Sequence, residues 1–308
     1  MDSRTNQDPG VRRFFPPDVV VHIKALACEL PFEQGIPLSR WSSTDIATEA
    51  ILRGIVAQIS GTTVWRWLDE DAIKPWQHRS WIFPRDPEFE QKAGRILDLY
   101  HGVYQGKALK TDEYVLSADE KTSIQARCRK HETLPAKSEQ CMKVEHEYER
   151  LGSVNYLAAW DVQHAKIFGR CEAKTGIEAF DRLVCDVMGQ EPYASAKRVF
   201  WIVDNGSSHR GQTSIKRMQS KWPNAILVHL PVHASWLNQI EIYFSILQRK
   251  ALTPNYFSSL NNLASTIMEF QRRYEQVAKP FEWKFTKENL EKMMSKLTTE
   301  SNVWSLAA

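Results

Sequence analysis

Three things are missing from this 308-residue chain. Its five cysteines, at 28, 128, 141, 171 and 185, are an odd number with no CxxC pair, which excludes a disulfide framework and points to a reducing compartment. Cys128 and His131, followed by Cys141 and His146, are the one group with ligand types, but their spacing is irregular and short for a zinc finger. No stretch approaches the roughly 20 apolar residues of a membrane helix, and the opening "MDSRTNQDPG" has no apolar signal core. An excess of one charge is also absent: 40 Lys+Arg stand against 37 Asp+Glu, a net of +3. That balance neither demands nor excludes a nucleic-acid partner, so local patches must decide. The expectation is a soluble cytoplasmic protein with no membrane partner. Internal repeats are absent as well.

What is present is a change of period along the chain. Residues 1–15 read as a polar tail, and "DVVVHIKALACEL" as a short helix closed by Pro31. "SSTDIATEAILRG" offers N-caps at Ser42, Ser43 and Thr44, and Gly54 near its end. "GTTVWRWLDEDA" follows, with Val64, Trp65 and Leu68 on one expected apolar face. Two short helices with a tight connection fit either a helix-turn-helix or an ordinary helical hairpin. In the first case Thr62, Thr63 and Arg66 would face a DNA groove. "KPWQHRSWIFPRDPEF" mixes basic, aromatic and proline residues and reads as an extended strap, with Lys74 and Arg79 placed to follow a phosphate backbone. A further helix precedes residue 105.

From 113 onward strands dominate. "EYVLSAD" reads as a strand ending on Asp119. A charged excursion over 121–150 follows, then "SVNYLAAWDV" and "AKIFGRCE" as two more strands. The amphipathic helix "TGIEAFDRLVCDVMG", the buried strand "KRVFWIVDN", a helix, the strand "NAILVHLP" and the helix within "PVHASWLNQIEIYFSILQRK" complete the pattern. This order predicts an α/β fold with a mixed sheet flanked by helices, and more helices after it.

The chemistry gathers on three acids. Asp119 and Asp204 each close an apolar strand; if those strands are adjacent and parallel, both carboxylates emerge at one sheet edge. Glu241 sits at the border of the core-facing stripe Ile240, Tyr243, Phe244 and Leu247, near the start of its helix. Burying it alone is costly, and a cation is the usual remedy. Three carboxylates without His, Cys or Lys suit Mg²⁺ or Mn²⁺, and two such ions can activate an attacking oxygen at a phosphodiester. Asn205 and His209 follow the second acid, and Asn238 stands three positions before Glu241; these could orient a metal-bound water or touch phosphate. Trp236 reads as packing.

"ADEKTSIQAR", "WIVDNGSSHRG" and "LVHLPVHASWLNQIEIYFSILQRK" resemble the acid-bearing blocks of the IS630-type transposases, in the IS630/Tc1/mariner group. Between Asp204 and Glu241 lie 36 residues, close to that group's interval, and 84 lie between Asp119 and Asp204. "LSRWSSTDIA", "SGTTVWRWL", "KPWQHRSWIFPRDPEF" and "PFEWKFT" extend the resemblance from about residue 14 over nearly the whole chain. It implies an RNase H-like catalytic domain over 111–255, a helix-turn-helix domain over 16–80, a linker and helix over 81–110, and C-terminal helices over 256–308. It further implies a catalytic triad of Asp119, Asp204 and Glu241 and cut-and-paste transposition: two divalent ions, double-stranded DNA with terminal inverted repeats and a TA target, and a homodimer on DNA in a bacterial, nucleoid-associated setting. Members commonly carry another N-terminal helix-turn-helix, whereas "VRRFFPP" matches the linker after it, leaving one candidate reading head. Two rival readings remain, an element-derived DNA-binding protein without catalysis and an RNase H-like nuclease.

Overall fold

The computed structural model describes residues 15–78, 84, 86–206 and 211–306, with side chains to residue 297. The chain divides into two compact units, Met1–Ile82 and Phe83–Ala308.

The first unit is three helices, α1 (Pro17–Ala27), α2 (Ser43–Leu52) and α3 (Gly61–Glu70). Local chemistry fixes their ends. Ser42 and Asp45 form a reciprocal capping box at the start of α2. Its other end is a Schellman turn: Gly54 takes φ +70°, its N–H donates to Ile51 O, and Ile55 N–H donates to Ala50 O. Ser60 caps α3 through Thr63 N–H. Gly61 allows α3 to start directly against α2, since a Cβ there would lie 2.9 Å from Thr44 Oγ1 and 3.1 Å from Thr44 Cα. The core joins Ile23, Leu26, Trp41, Ile46, Ala50, Val64, Trp67 and Leu68. One expectation fails here. Trp65 is 47% exposed and Trp67 takes the inner face, because 64, 67 and 68 follow the i, i+3, i+4 stripe that 65 leaves.

The second unit begins with α4 (Phe89–Tyr100) and a small two-strand turn of β1 (Val103–Tyr104) and β2 (Lys107–Ala108). The main sheet contains β3 (Glu113–Cys128), β4 (Glu149–Asp161), β5 (Ile167–Glu172), β6 (Arg198–Val203) and β7 (Ala225–His229), in the order β5-β4-β3-β6-β7. β3, β4 and β5 are antiparallel, while β6 and β7 run parallel to β3. Helices α5 (Ile177–Met188) and α6 (Gly211–Lys221) connect into β6 and β7. α7 (Ile240–Lys250), preceded by a 3-10 turn over Ser235–Leu237, α8 (Leu260–Glu275) and α9 (Lys287–Leu306) follow.

Both sheet faces are covered, which is why the strands read as continuous apolar runs. Val115, Tyr156, Ala158, Trp160, Phe200 and Ile202 meet α4, α7 and α8 on one side. Leu116, Ala118, Leu157, Val199, Trp201 and Val203 meet α5 and α6 on the other. The expected end of the first strand at Asp119 is corrected: β3 runs on to Cys128 and β4 begins at Glu149, so the two ends of the charged excursion are ribbon. Its exposed positions carry polar residues, and register shifts at Lys121/Ile124 and Gln125/Arg127 break the alternation a strand reading depends on. The zinc-type group does not assemble: His131 Nδ1 lies 2.9 Å from Glu145 Oε1, and among the described residues no three His, Cys, Asp or Glu side chains form a metal-holding group.

Candidate active site

The parallel register of β3 and β6 pairs Ser117 with Ile202. Carried on by two residues, it sets Asp119 beside Asp204, the residue directly after β6. Side chains alternate along a strand. Asp119 therefore shares its side with Val115, and Asp204 shares its side with Phe200 and Ile202, all on the face covered by α7. Glu241 is in the first turn of that helix.

Asn238 and Ser117 fasten this corner. Asn238 is 1% exposed; its Nδ2 donates to Asp119 Oδ2 at 3.0 Å and to Ala118 O at 3.1 Å. The Ser117 hydroxyl donates to Asn238 Oδ1 and accepts from Ile240 N–H at 2.9 Å. Tyr100, from α4, donates its hydroxyl to Leu237 O at 2.8 Å and accepts from Gln239 N–H at 3.2 Å. Thus the strand bearing the first acid and the helix bearing the third are held together by buried hydrogen bonds. Ser117 and Tyr100 are additions to the sequence reading. Ser117 had a signal, being a hydroxyl in an apolar strand two residues before Asp119; Tyr100, at the end of an amphipathic helix, had none. Gln239 is fully buried, and neither of its side-chain amide atoms has a hydrogen-bond partner among the described residues.

The acids feel one another. Burial pushes the Asp119 carboxyl up to about 7; the charges of Asp204 and Glu241 add to the rise, against hydrogen bonds from Glu120 N–H and Asn238. Glu241 is also raised, by burial first and by Asp204, while Lys121 opposes. Asp204 Oδ1 accepts from Gly206 N–H at 2.7 Å. Crowded carboxylates of this kind favour a proton or a cation between them, and oxygen-only donors suit Mg²⁺ or Mn²⁺. The donor set fits hard ions. The three acids are within electrostatic reach but do not form a closed cage.

The other expected residues divide. Asn205 Nδ2 donates to Leu230 O at 2.7 Å, tying the loop after β6 to the end of β7. Trp236 packs edge-on to Phe285 at 5.3 Å. Thr62, Arg66 and Lys74 are exposed. Thr63 Oγ1 lies 2.9 Å from Ser60 Oγ, within the helix cap, so its hydroxyl is engaged there. Arg79 and His209 lie outside the described residues.

Residues 114–264 match the family described as "DDE superfamily endonuclease". Over this segment the chain is similar to DDE superfamily endonuclease domains. The segment spans β3 to the start of α8, taking in all three acids and the residues that fasten them. No curated protein matches the chain. Among solved structures, it is similar to a Mos1 transposase paired-end complex with left transposon end, at 14% identity and TM-score 0.54, covering 96% of this chain and 80% of that one. It is also similar to a pre-cleavage Mos1 transpososome, at 15% and 0.54, covering 96% and 82%. At such identities the likeness shows the fold: the second unit is RNase H-like, a five-strand mixed sheet flanked by helices.

Proposed function

We propose that this chain is a DNA transposase that cuts and joins phosphodiesters at transposon ends, with Asp119, Asp204 and Glu241 holding two Mg²⁺ or Mn²⁺ ions. The observation that carries this is the shared level of Asp119 and Asp204 on adjacent parallel strands, on the face where α7 brings Glu241. The likeness of the segment around them to endonuclease domains supports it. So do the similar Mos1 mariner paired-end complexes, one with Mn and one with Mg.

When bound, the ions supply Lewis acidity, activating the attacking oxygen and offsetting charge on the leaving one. The residues of the chain do the rest. Asn238 fixes Asp119 through Oδ2, so that the carboxylate presents a defined edge. Asp119, its carboxyl pushed up to about 7 by burial, would give up a proton on binding a cation. Glu241, raised and near the helix start, closes the site from α7. In the first unit, α2 and α3 act as the helix-turn-helix, with Thr62 and Arg66 toward the groove and Lys74 and Arg79 along phosphates. Cleavage at two element ends calls for two copies of the chain on DNA; inverted repeats and a TA target belong to the same reading.

Its test is incubation of the protein with duplexes carrying its own element's flanking ends and Mg²⁺, mapping cuts by strand, with a pre-cut end and Mn²⁺ to read strand joining. Asp119→Asn, Asp204→Asn and Glu241→Gln should each lower cleavage by about a hundredfold or more with circular dichroism unchanged. Cleavage that survives in all three sinks the assignment. Binding without cutting or joining favours a DNA-binding protein, and cutting of RNA–DNA hybrids without element ends favours a nuclease.

A further inference from the structure

Where β3 and β4 extend beyond the sheet, the ladder places Arg127 directly opposite Arg150. Like charges facing across strands are destabilising. The ladder ends on the next pair, Cys128 and Glu149, and Arg129 and Tyr148 are the residues just beyond it in the chain. The Arg127 guanidinium sits 4.5 Å from the Tyr148 ring centre and that of Arg129 6.0 Å, while Arg150 hydrogen-bonds the phenol. Among the described residues, none of these arginines has a carboxylate within ion-pair distance. Glu145, whose backbone carbonyl takes Arg129, pairs its carboxylate with His131 instead. The Tyr148 phenol is held below its ordinary value by the Arg150 hydrogen bond and the charge of Arg127, a mark of uncompensated positive potential.

The cluster is also held in place. Arg129 Nε donates to Glu145 O at 2.6 Å, and its Nη1 donates to Asn255 O. Asn255 accepts from Arg127 N–H at 3.1 Å and donates to Gln125 O at 2.7 Å, and Phe257 N–H donates to Arg127 O at 2.8 Å. Among the described residues Arg127 Nε is buried without a hydrogen-bond partner. A repulsive block so firmly positioned is built to meet an anion.

We propose that Arg127, Arg129, Arg150 and Tyr148 form a phosphate-binding surface for the backbone of a DNA duplex held by the same catalytic unit, an inference that rests on the DNA-acting function proposed above. Planar guanidinium forks match phosphate oxygens, and the contact carries no sequence information. Position favours DNA over an acidic peptide. Asp119 and Arg127 are on one strand, 127 − 119 = 8 residues apart. That is about 26 Å of strand, or about eight base-pair steps of duplex. A duplex whose phosphate lies at the acids has the length to reach the ribbon.

The test uses the full chain and a duplex of about 30 base pairs unrelated to any element end, by anisotropy across a salt series. Arg150→Gln, at an exposed position that spares the fold, should reduce the steepness of log K against log[salt] by about 1, and Arg127→Gln with Arg150→Gln by about 2, alike for any sequence. An unchanged slope in both variants, with circular dichroism unchanged, overturns the proposal. So does an unchanged slope accompanied by loss of a dimer in sedimentation, which assigns the patch to an acidic segment of a second copy. Wild-type cleavage with Mg²⁺ is measured alongside. A falling slope without any wild-type cleavage leaves this surface standing and removes the transposase reading; cleavage with an unaltered slope does the reverse.

Discussion

Asp119 shows what a crowded carboxylate does to its own fold. Its ordinary value is 3.8, and burial beside two acids takes it to about 7. Between those values the folded state holds a proton that the unfolded state has lost, so without divalent ions stability falls as pH rises from about 4 to about 7 and then levels off. Asp119→Asn lacks that penalty and should melt above wild type at pH 8 in chelator, the gap closing below pH 4; parallel melting curves would contradict this. Saturating Mg²⁺ should raise the wild-type melting temperature at pH 8 and leave the variant nearly unmoved. Ser117→Ala tests the fastening. It leaves Ile240 N–H and Asn238 Oδ1 without their partner, which costs about 1–3 kcal/mol in denaturant unfolding and lowers cleavage more than DNA affinity. Gln239 poses the converse question. Replacing its unpaired buried amide by Met should leave stability equal or higher by about 1 kcal/mol.

Helices and strands were legible where one local rule governed them. The capped ends of α2, the apolar runs of β6 and β7, and the α5 stripe all follow from spacing and end residues. The reach of β3 past Asp119 did not, because bulges and solvent on the ribbon remove the alternation that marks a strand. Trp65 was misread by adjacency where angular position decides. Of the site, the acids stood out because carboxylates are unexpected beside apolar runs, and Asn238 because it stands three positions before Glu241, although its backbone is extended ahead of α7 rather than part of it. Tyr100, 137 residues from its partner Leu237, is a tertiary fact with no local trace. Gly61 gives an element-scale prediction. Gly61→Ala sets a methyl against the backbone of Thr44, so the first unit should lose about 1–3 kcal/mol despite the better helix former. Its melting and duplex binding should fall together while metal-dependent stabilisation of the second unit persists.

At the scale of the molecule, two compact units divide recognition from chemistry in the proposed function. Arg66→Ala, on the exposed side of α3, should change preference among duplex sequences, whereas Lys74→Ala should weaken all of them alike and flatten the salt dependence by about 1. Competition binding with a randomised duplex pool separates the two outcomes. Among the described residues no helix is long and apolar enough to cross a membrane. The sheet's alternation sets a last constraint. A single-residue deletion between Glu113 and Asp119 would rotate the first acid toward α5 and α6, away from Asp204, leaving a folded protein with a dismantled centre. Natural length variation should therefore be absent from that short stretch and accumulate instead between Arg129 and Tyr148, where only isolated bridges, Leu134 with Lys143 and Lys137 with Gln140, pair the chain.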